Sequence, residues 1–162
     1  WPSLLVENAD IPDDFILLIG WTGDSFSTSN AVKRMNEKKK TDETTYRALI
    51  DNIAECSAKV IEAWKIGDRQ KIMRHLNENE LCLRNLGDWA GIPIETKELR
   101  LLHEIAMKHG AAGKLSGSGG GDCGITVCFD EKTAEKIRND WEKAGLHPIN
   151  AQVDHDGVRE EI

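Results

Sequence analysis

Apolar residues along this chain recur with two different periods. Phe15 to Trp21 is a short apolar run bounded by Pro12-Asp13-Asp14 and Thr22-Gly23, which suits a buried strand. Beyond it the spacing changes to 3.6 residues: Tyr46, Leu49, Ile50, Ile53, Val60, Ile61 and Trp64 predict a long amphipathic helix that ends at Gly67. Asp68 can cap a second helix whose stripe runs through Ile72, Leu76, Leu83 and Leu86, with Gly87 and Gly91-Ile92-Pro93 closing it. A third helix follows Thr96, turning Leu99, Leu102, Ile105 and Ala106 inward and stopping at Gly110.

The pattern then returns to strands. Two of them, 111–116 and 124–129, flank a glycine-rich stretch. Asp130 can cap a helix carrying Ala134, Ile137 and Trp141 on one face, and Gly145 ends it. Ile149, Ala151 and Val153 alternate as a final strand. Strand, helices, strand, strand, helix, strand is the split βαββαβ order of ferredoxin-like folds. The expected class is therefore α+β: a ferredoxin-like antiparallel sheet with additional helices, in one domain.

Charge and composition narrow the partners. The chain has 162 residues and a formal net charge of −7, which argues against a nucleic-acid or anionic-membrane surface. Lys38-Lys39-Lys40 is a short exception, read as a solvated loop. The longest uninterrupted apolar run, Phe15 to Ile19, has five residues, whereas a spanning helix needs about 20. The four cysteines form no C-x-x-C pair and the five histidines no H-x-x-x-H pattern, so free thiols in a reducing, cytoplasmic compartment are expected and a structural metal is not.

The stretch between the two strands reads Lys114-Leu-Ser-Gly-Ser-Gly-Gly-Gly-Asp-Cys-Gly124 and holds five of the chain's fourteen glycines. Backbone so bare of side chains can take positive φ and turn N–H groups inward, which suits an anion. It is not a Walker loop, because Lys108 stands where the first Gly should be and Leu115 follows Gly113-Lys114. Gly119, Gly121 and Gly124 satisfy G-x-G-x-x-G formally, yet a strand follows them where a dinucleotide site needs a helix. A glycine-rich hairpin without a ligand is the plain alternative. Upstream, Trp21 to Ser29 gathers hydroxyl residues after the first strand, and a helix beginning near Ser27 would aim N–H groups at an anion.

The motif Lys114-x-Ser116-Gly117-x-Gly119-Gly120-Gly121-Asp122-Cys123-Gly124 resembles the C-terminal glycine-rich motif of the phosphomevalonate kinase family, within the GHMP kinase superfamily. Gly20-Trp21-Thr22-Gly23 followed by Ser27-Thr28-Ser29 is similar to the segment after the first strand of the same family's C-terminal domain. The resemblance spans nearly the whole chain and implies the GHMP kinase C-terminal fold. It also implies transfer of the ATP γ-phosphoryl group to 5-phosphomevalonate, giving 5-diphosphomevalonate for isoprenoid synthesis, with Mg²⁺ and ATP serving the whole enzyme. The family's main nucleotide loop, P-x-x-x-G-L-G-S-S-A, does not occur here, and the chain opens on Trp1-Pro2. A fragment whose N-terminal kinase domain and catalytic Asp lie elsewhere is expected, inactive on its own.

The resemblance implies roles for individual residues. The loop N–H groups around Ser118, Gly119, Gly120, Gly121 and Asp122 would face phosphate, with Ser116 a hydroxyl donor and Gly117 part of the same turn. Lys114 would place a cation near the transferring group, or is an exposed strand lysine. Asp122 either meets Mg²⁺ or caps a turn. Thr22, Ser27, Thr28 and Ser29 are assigned to phosphomevalonate, or form a helix cap. Asn79, on the apolar stripe of its helix, binds a ligand hydroxyl or a core partner. The rival function is a stand-alone ferredoxin-like regulatory module that binds a small ligand without catalysis. Mevalonate kinase and diphosphomevalonate decarboxylase are lesser alternatives within the superfamily.

Overall fold

A computed structural model describes residues 10–24 and 28–151. Four strands, β1 (Ile16–Trp21), β2 (Ala112–Leu115), β3 (Cys123–Cys128) and β4 (His147–Ile149), form one sheet in the order β2-β3-β1-β4. Every neighbouring pair is antiparallel. This is the ferredoxin-like arrangement that the order of elements predicts. Five helices complete the fold: α1 (Thr28–Thr41), α2 (Glu43–Lys65), α3 (Arg69–Ala90), α4 (Lys97–Lys108) and α5 (Glu131–Lys143).

Helix starts follow local chemistry. Asp42, Asp68, Thr96 and Asp130 stand at the N-caps of α2, α3, α4 and α5, each accepting from the backbone N–H three residues on. The core lies where α4 and α5 meet the sheet, around Leu18, Leu102, Ile105, Cys128, Ile137 and Trp141. The helices sit low on the strands because Gly20 and Gly124, paired across β1 and β3, leave room there. A Cβ on Gly124 would stand 2.7 Å from Leu102 Cδ1, and one on Gly20 2.9 Å from the same atom.

Three sequence expectations change. Gly87 does not close α3: the helix continues to Ala90 and Gly91 caps it at φ 66°. Gly87 is inside because the returning chain presses on it, so that a Cβ there would lie 2.8 Å from the Ile92 carbonyl oxygen. Lys38-Lys39-Lys40 is not a loop but the last turn of α1. Positive charge is favourable at a helix C-terminus, and two of these ammonium groups lie over rings, Lys38 at 5.7 Å from Trp89 and Lys39 at 4.7 Å from Tyr46. The last strand is shorter than its alternation suggested, ending at Ile149; Val153 lies outside the described residues.

Candidate functional site

β2 is an edge strand, so half of its backbone groups face away from β3 and need other partners. Side chains of α3 and α4 supply them. Asn77 accepts from Gly113 N–H at 3.2 Å and donates to Ala111 O at 3.4 Å. His103 Nδ1 lies 2.6 Å from Gly113 O and must carry the proton, since a carbonyl can only accept. Glu80 Oε2 accepts from Leu115 N–H at 2.9 Å, the last strand residue before the glycine-rich loop.

The loop leaves the strand in left-handed backbone. Gly117, Gly119 and Gly120 have φ of 67°, 71° and 84°, and Asp122 has φ 56° without being glycine. That strain at Asp122 is held by three hydrogen bonds: its carbonyl accepts from Thr22 N–H (2.8 Å) and Thr22 Oγ1 (2.9 Å), and its N–H donates to Asp24 O (2.8 Å). The crest of the loop is tied elsewhere, Gly120 N–H donating to Ile94 O at 2.6 Å. Gly119 must be glycine at this contact, because a Cβ would run into the Ile94 carbonyl oxygen.

The two motifs, almost a hundred residues apart in sequence, are thus bonded to each other through Thr22 and Asp122. They also share a cavity of about 280 Å³. Thr28 at the start of α1 and Ser118 of the loop line it, with Ala31, Val32 and Met35 of α1, Tyr46 of α2, and Ile92 and Ile94 forming much of the rest. Two of the predicted loop donors are already engaged, at Gly120 and Asp122. Among the described residues, the N–H groups of Gly117, Ser118, Gly119 and Gly121 have no protein acceptor. Of these, Ser118 shares the cavity wall with Thr28 at the start of α1, an arrangement suited to an anion.

The other predicted residues fall as follows. Ser116 is exposed and its N–H bonds Cys123 O at 3.0 Å, closing the hairpin. Ser29 is exposed in the first turn of α1. Ser27 lies outside the described residues. Lys114 does not line the cavity: its Nζ donates to Leu115 O at 2.9 Å, and burial lowers its pKa while the nearby Glu80 carboxyl raises it. Asn79 is likewise absent from the cavity wall; it is buried, and its Nδ2 donates to Ser57 of α2 at 3.3 Å. Their partners, Leu115 O and Ser57, are ones that sequence spacing does not reveal.

Glu80 and Glu95 were not singled out from the sequence. Glu80 has no exposed surface, and its Oε1 has no hydrogen-bond partner. Burial pushes its pKa up to about 7, against the pull of Leu115 N–H and Lys114, and the adjacent Glu95 carboxylate acts in the same upward direction. The Glu95 side chain is 1% exposed and is gripped by Arg84 through two bonds of 2.6 and 2.7 Å and by Arg100 at 3.0 Å. Burial opposes its ionisation, but the two guanidinium groups hold it below the usual carboxylate range. The readable sign was Glu80's position on the apolar stripe of α3, eight residues from Ile72.

The model of the family described as GHMP kinases C terminal matches residues 57–147. The chain belongs to the GHMP kinase C-terminal family. This GHMP domain is 29% identical over 151 residues to a phosphomevalonate kinase of Streptomyces sp. (strain CL190), covering 92% of the chain and 40% of that protein. Its fold is similar to a Lin0012 protein from Listeria innocua (TM-score 0.87, 36% identity, 92% of this chain and 42% of that one). It is also similar to Streptococcus pneumoniae phosphomevalonate kinase solved with phosphomevalonate and AMPPNP (TM-score 0.70, 27% identity, 81% of this chain and 37% of that one). The chain thus spans about two-fifths of the length of these relatives. Among its described residues no helix is long and apolar enough to cross a membrane.

Proposed function

We propose that this chain is the C-terminal part of a phosphomevalonate kinase, which moves the γ-phosphoryl group of ATP onto 5-phosphomevalonate and releases 5-diphosphomevalonate and ADP. The observation that carries this reading is the convergence of the glycine-rich loop and the start of α1 on one cavity, with Ser118 and Thr28 both in its wall. The phosphomevalonate kinase relatives, one of them solved with phosphomevalonate and an ATP analogue, support the choice of substrate.

In this reading the α1 end of the cavity receives the substrate phosphate, and the unengaged N–H groups of Ser118, Gly119 and Gly121 face the phosphoryl group in flight. Phosphoryl transfer asks for positioned donors more than for covalent chemistry. The wall beside them is largely apolar, through Val32, Met35 and Ile94. Asp122 serves as a structural turn, its backbone fully engaged, in place of a ligand role. ATP supplies the transferred group, and its main binding loop belongs to an N-terminal domain outside this chain. Mg²⁺ finds no cluster of three suitable side chains among the described residues, so no step is assigned to it here.

The test is an NMR titration of the 162-residue chain with 5-phosphomevalonate, with mevalonate as the control lacking the phosphate. Phosphomevalonate should shift the amides of Ser118 to Gly121 and of Thr28 and Ser29, and mevalonate should leave them in place. Ser118→Ala keeps the backbone donor, so it should weaken the response by less than about tenfold. Equal shifts with both ligands, or shifts confined to other surfaces, would reject phosphate recognition at this site.

A further inference from the structure

The glycine-rich loop is anchored at two points, and the two anchors lead to the same buried pair. Its base is held where Leu115 N–H reaches Glu80 Oε2 at 2.9 Å. Its crest is held where Gly120 N–H reaches Ile94 O at 2.6 Å, and the next residue after Ile94 is Glu95. Glu80 Oε1 is buried without a partner, and the Glu95 carboxylate is the acidic group next to it. Two ionised carboxylates side by side in a buried site repel one another, whereas one proton between them turns repulsion into a hydrogen bond. We propose that Glu80 and Glu95 share one proton, and that this proton is the latch which joins the base of the glycine-rich loop to its crest.

The surrounding charges decide where the proton sits. Arg84 of α3 and Arg100 of α4 both bond Glu95, so Glu95 stays ionised and accepts. Two cations lie near Glu80, Lys114 of β2 and Arg84, but neither bonds it: Lys114 Nζ is engaged with Leu115 O and the Arg84 guanidinium with Glu95. His103 of α4 faces the same edge strand but bonds Gly113 O, and Glu104 of α4 lies on the Arg84 side. Glu80 therefore carries the proton and donates it through Oε1 to Glu95, while Oε2 goes on accepting from Leu115. Loss of the proton leaves two adjacent anions, parts the α3 anchor from the Ile94–Glu95 segment, and loosens the loop. Glu80 is a positioning residue: it touches no ligand and acts through the backbone of the loop.

The inference concerns the loop itself and does not depend on which phosphate compound binds there, so its test contains no ligand. Side-chain carboxyl ¹³C shifts of the 162-residue chain are followed with pH alongside amide hydrogen exchange at Leu115 and Gly120. Glu80 should titrate near 7, and the protection of both amides, corrected for the intrinsic rate, should fall about tenfold or more between about pH 6 and about pH 8. Glu80→Gln, whose amide N–H donates to Glu95 at every pH while its oxygen accepts from Leu115, should keep both amides protected throughout. Glu80→Leu should leave them open throughout; should that variant not fold, the wild-type titration and Glu80→Gln still decide. A Glu80 titration near 4.5, or the same pH course of protection in wild type and Glu80→Gln, would overturn the latch. Failure of phosphomevalonate to bind would count against the proposed function alone.

Discussion

The helical face of the sheet and the outer edge of β2 are built on the same strands and held by opposite means. On the face, α4 and α5 lie against glycines, and what matters is shape: Leu102 and Trp141 fill the space that Gly20 and Gly124 leave. At the edge, backbone donors and acceptors left over from the sheet are met one by one by Asn77, Glu80 and His103. The apolar cluster of the face holds one titratable group, the Cys128 thiol, which burial pushes up to about 11 and so keeps neutral, whereas the edge places an acid where water cannot solvate it. The first arrangement should be sensitive to volume and indifferent to pH. The second should be the reverse, and it is the second that leads into the glycine-rich loop.

The sharpest separation comes from stability against pH. Glu80 is raised from an ordinary 4.5 to about 7, so between these values the folded chain holds a proton that the unfolded chain has released. Stability therefore falls as pH rises through this window and levels off above it, by about 3 kcal/mol in all for a fully buried group. Urea unfolding followed by tryptophan fluorescence at a series of pH values measures the slope. Glu80→Gln should flatten it, and a slope that survives this change would place its origin away from the β2 edge.

Crowding the face should cost less and show no such dependence. Gly124→Ala brings a methyl group to 2.7 Å from Leu102 Cδ1, and Gly20→Ala brings one to 2.9 Å from the same atom and 3.0 Å from Trp141 Cζ3. Each should lose about 1–3 kcal/mol. Chemical denaturation at both ends of the pH window should return the same loss. A loss that varied with pH would mean that face and edge are not separate.

The smallest contrast lies within the loop. Gly117 and Gly119 have nearly the same φ, 67° and 71°, but nothing stands within 4 Å of a Cβ on Gly117, whereas one on Gly119 meets Ile94. Gly117→Ala should cost about 1 kcal/mol of backbone strain and leave the crest in place. Gly119→Ala should in addition break the bond from Gly120 to Ile94. Hydrogen exchange at Gly120 distinguishes them, and equal protection in the two variants would show that Ile94 does not hold the crest.

Much of this was legible along the chain, and the exceptions have a common character. α1 gave little periodic signal because none of its residues is buried; its apolar positions Ala31, Val32 and Met35 line an open cavity and not the core. The lysine run at its end looked like a loop for the same reason. Gly87 looked like a stop because a glycine near the end of a stripe usually is one, and only the return of the chain over Ile92 explains it. Lys114 and Asn79 were of the right type for a ligand, but their partners, Leu115 O and Ser57, depend on which helix covers which edge.

Local chemistry was enough for the caps at Asp68, Thr96 and Asp130, the order of strands and helices, and the need for left-handed backbone in the glycine-rich loop. Each of these depends on neighbours within a few residues, whose interactions exist before the chain folds. Which loop N–H groups remain unengaged, and where an acid is stripped of water, depends on contacts between segments far apart in sequence. Asp122 meets Thr22, Gly120 meets Ile94, and Glu80 meets Leu115 only once the sheet is assembled. Hydrogen bonding and desolvation act over a few ångströms, so the tertiary structure alone decides them.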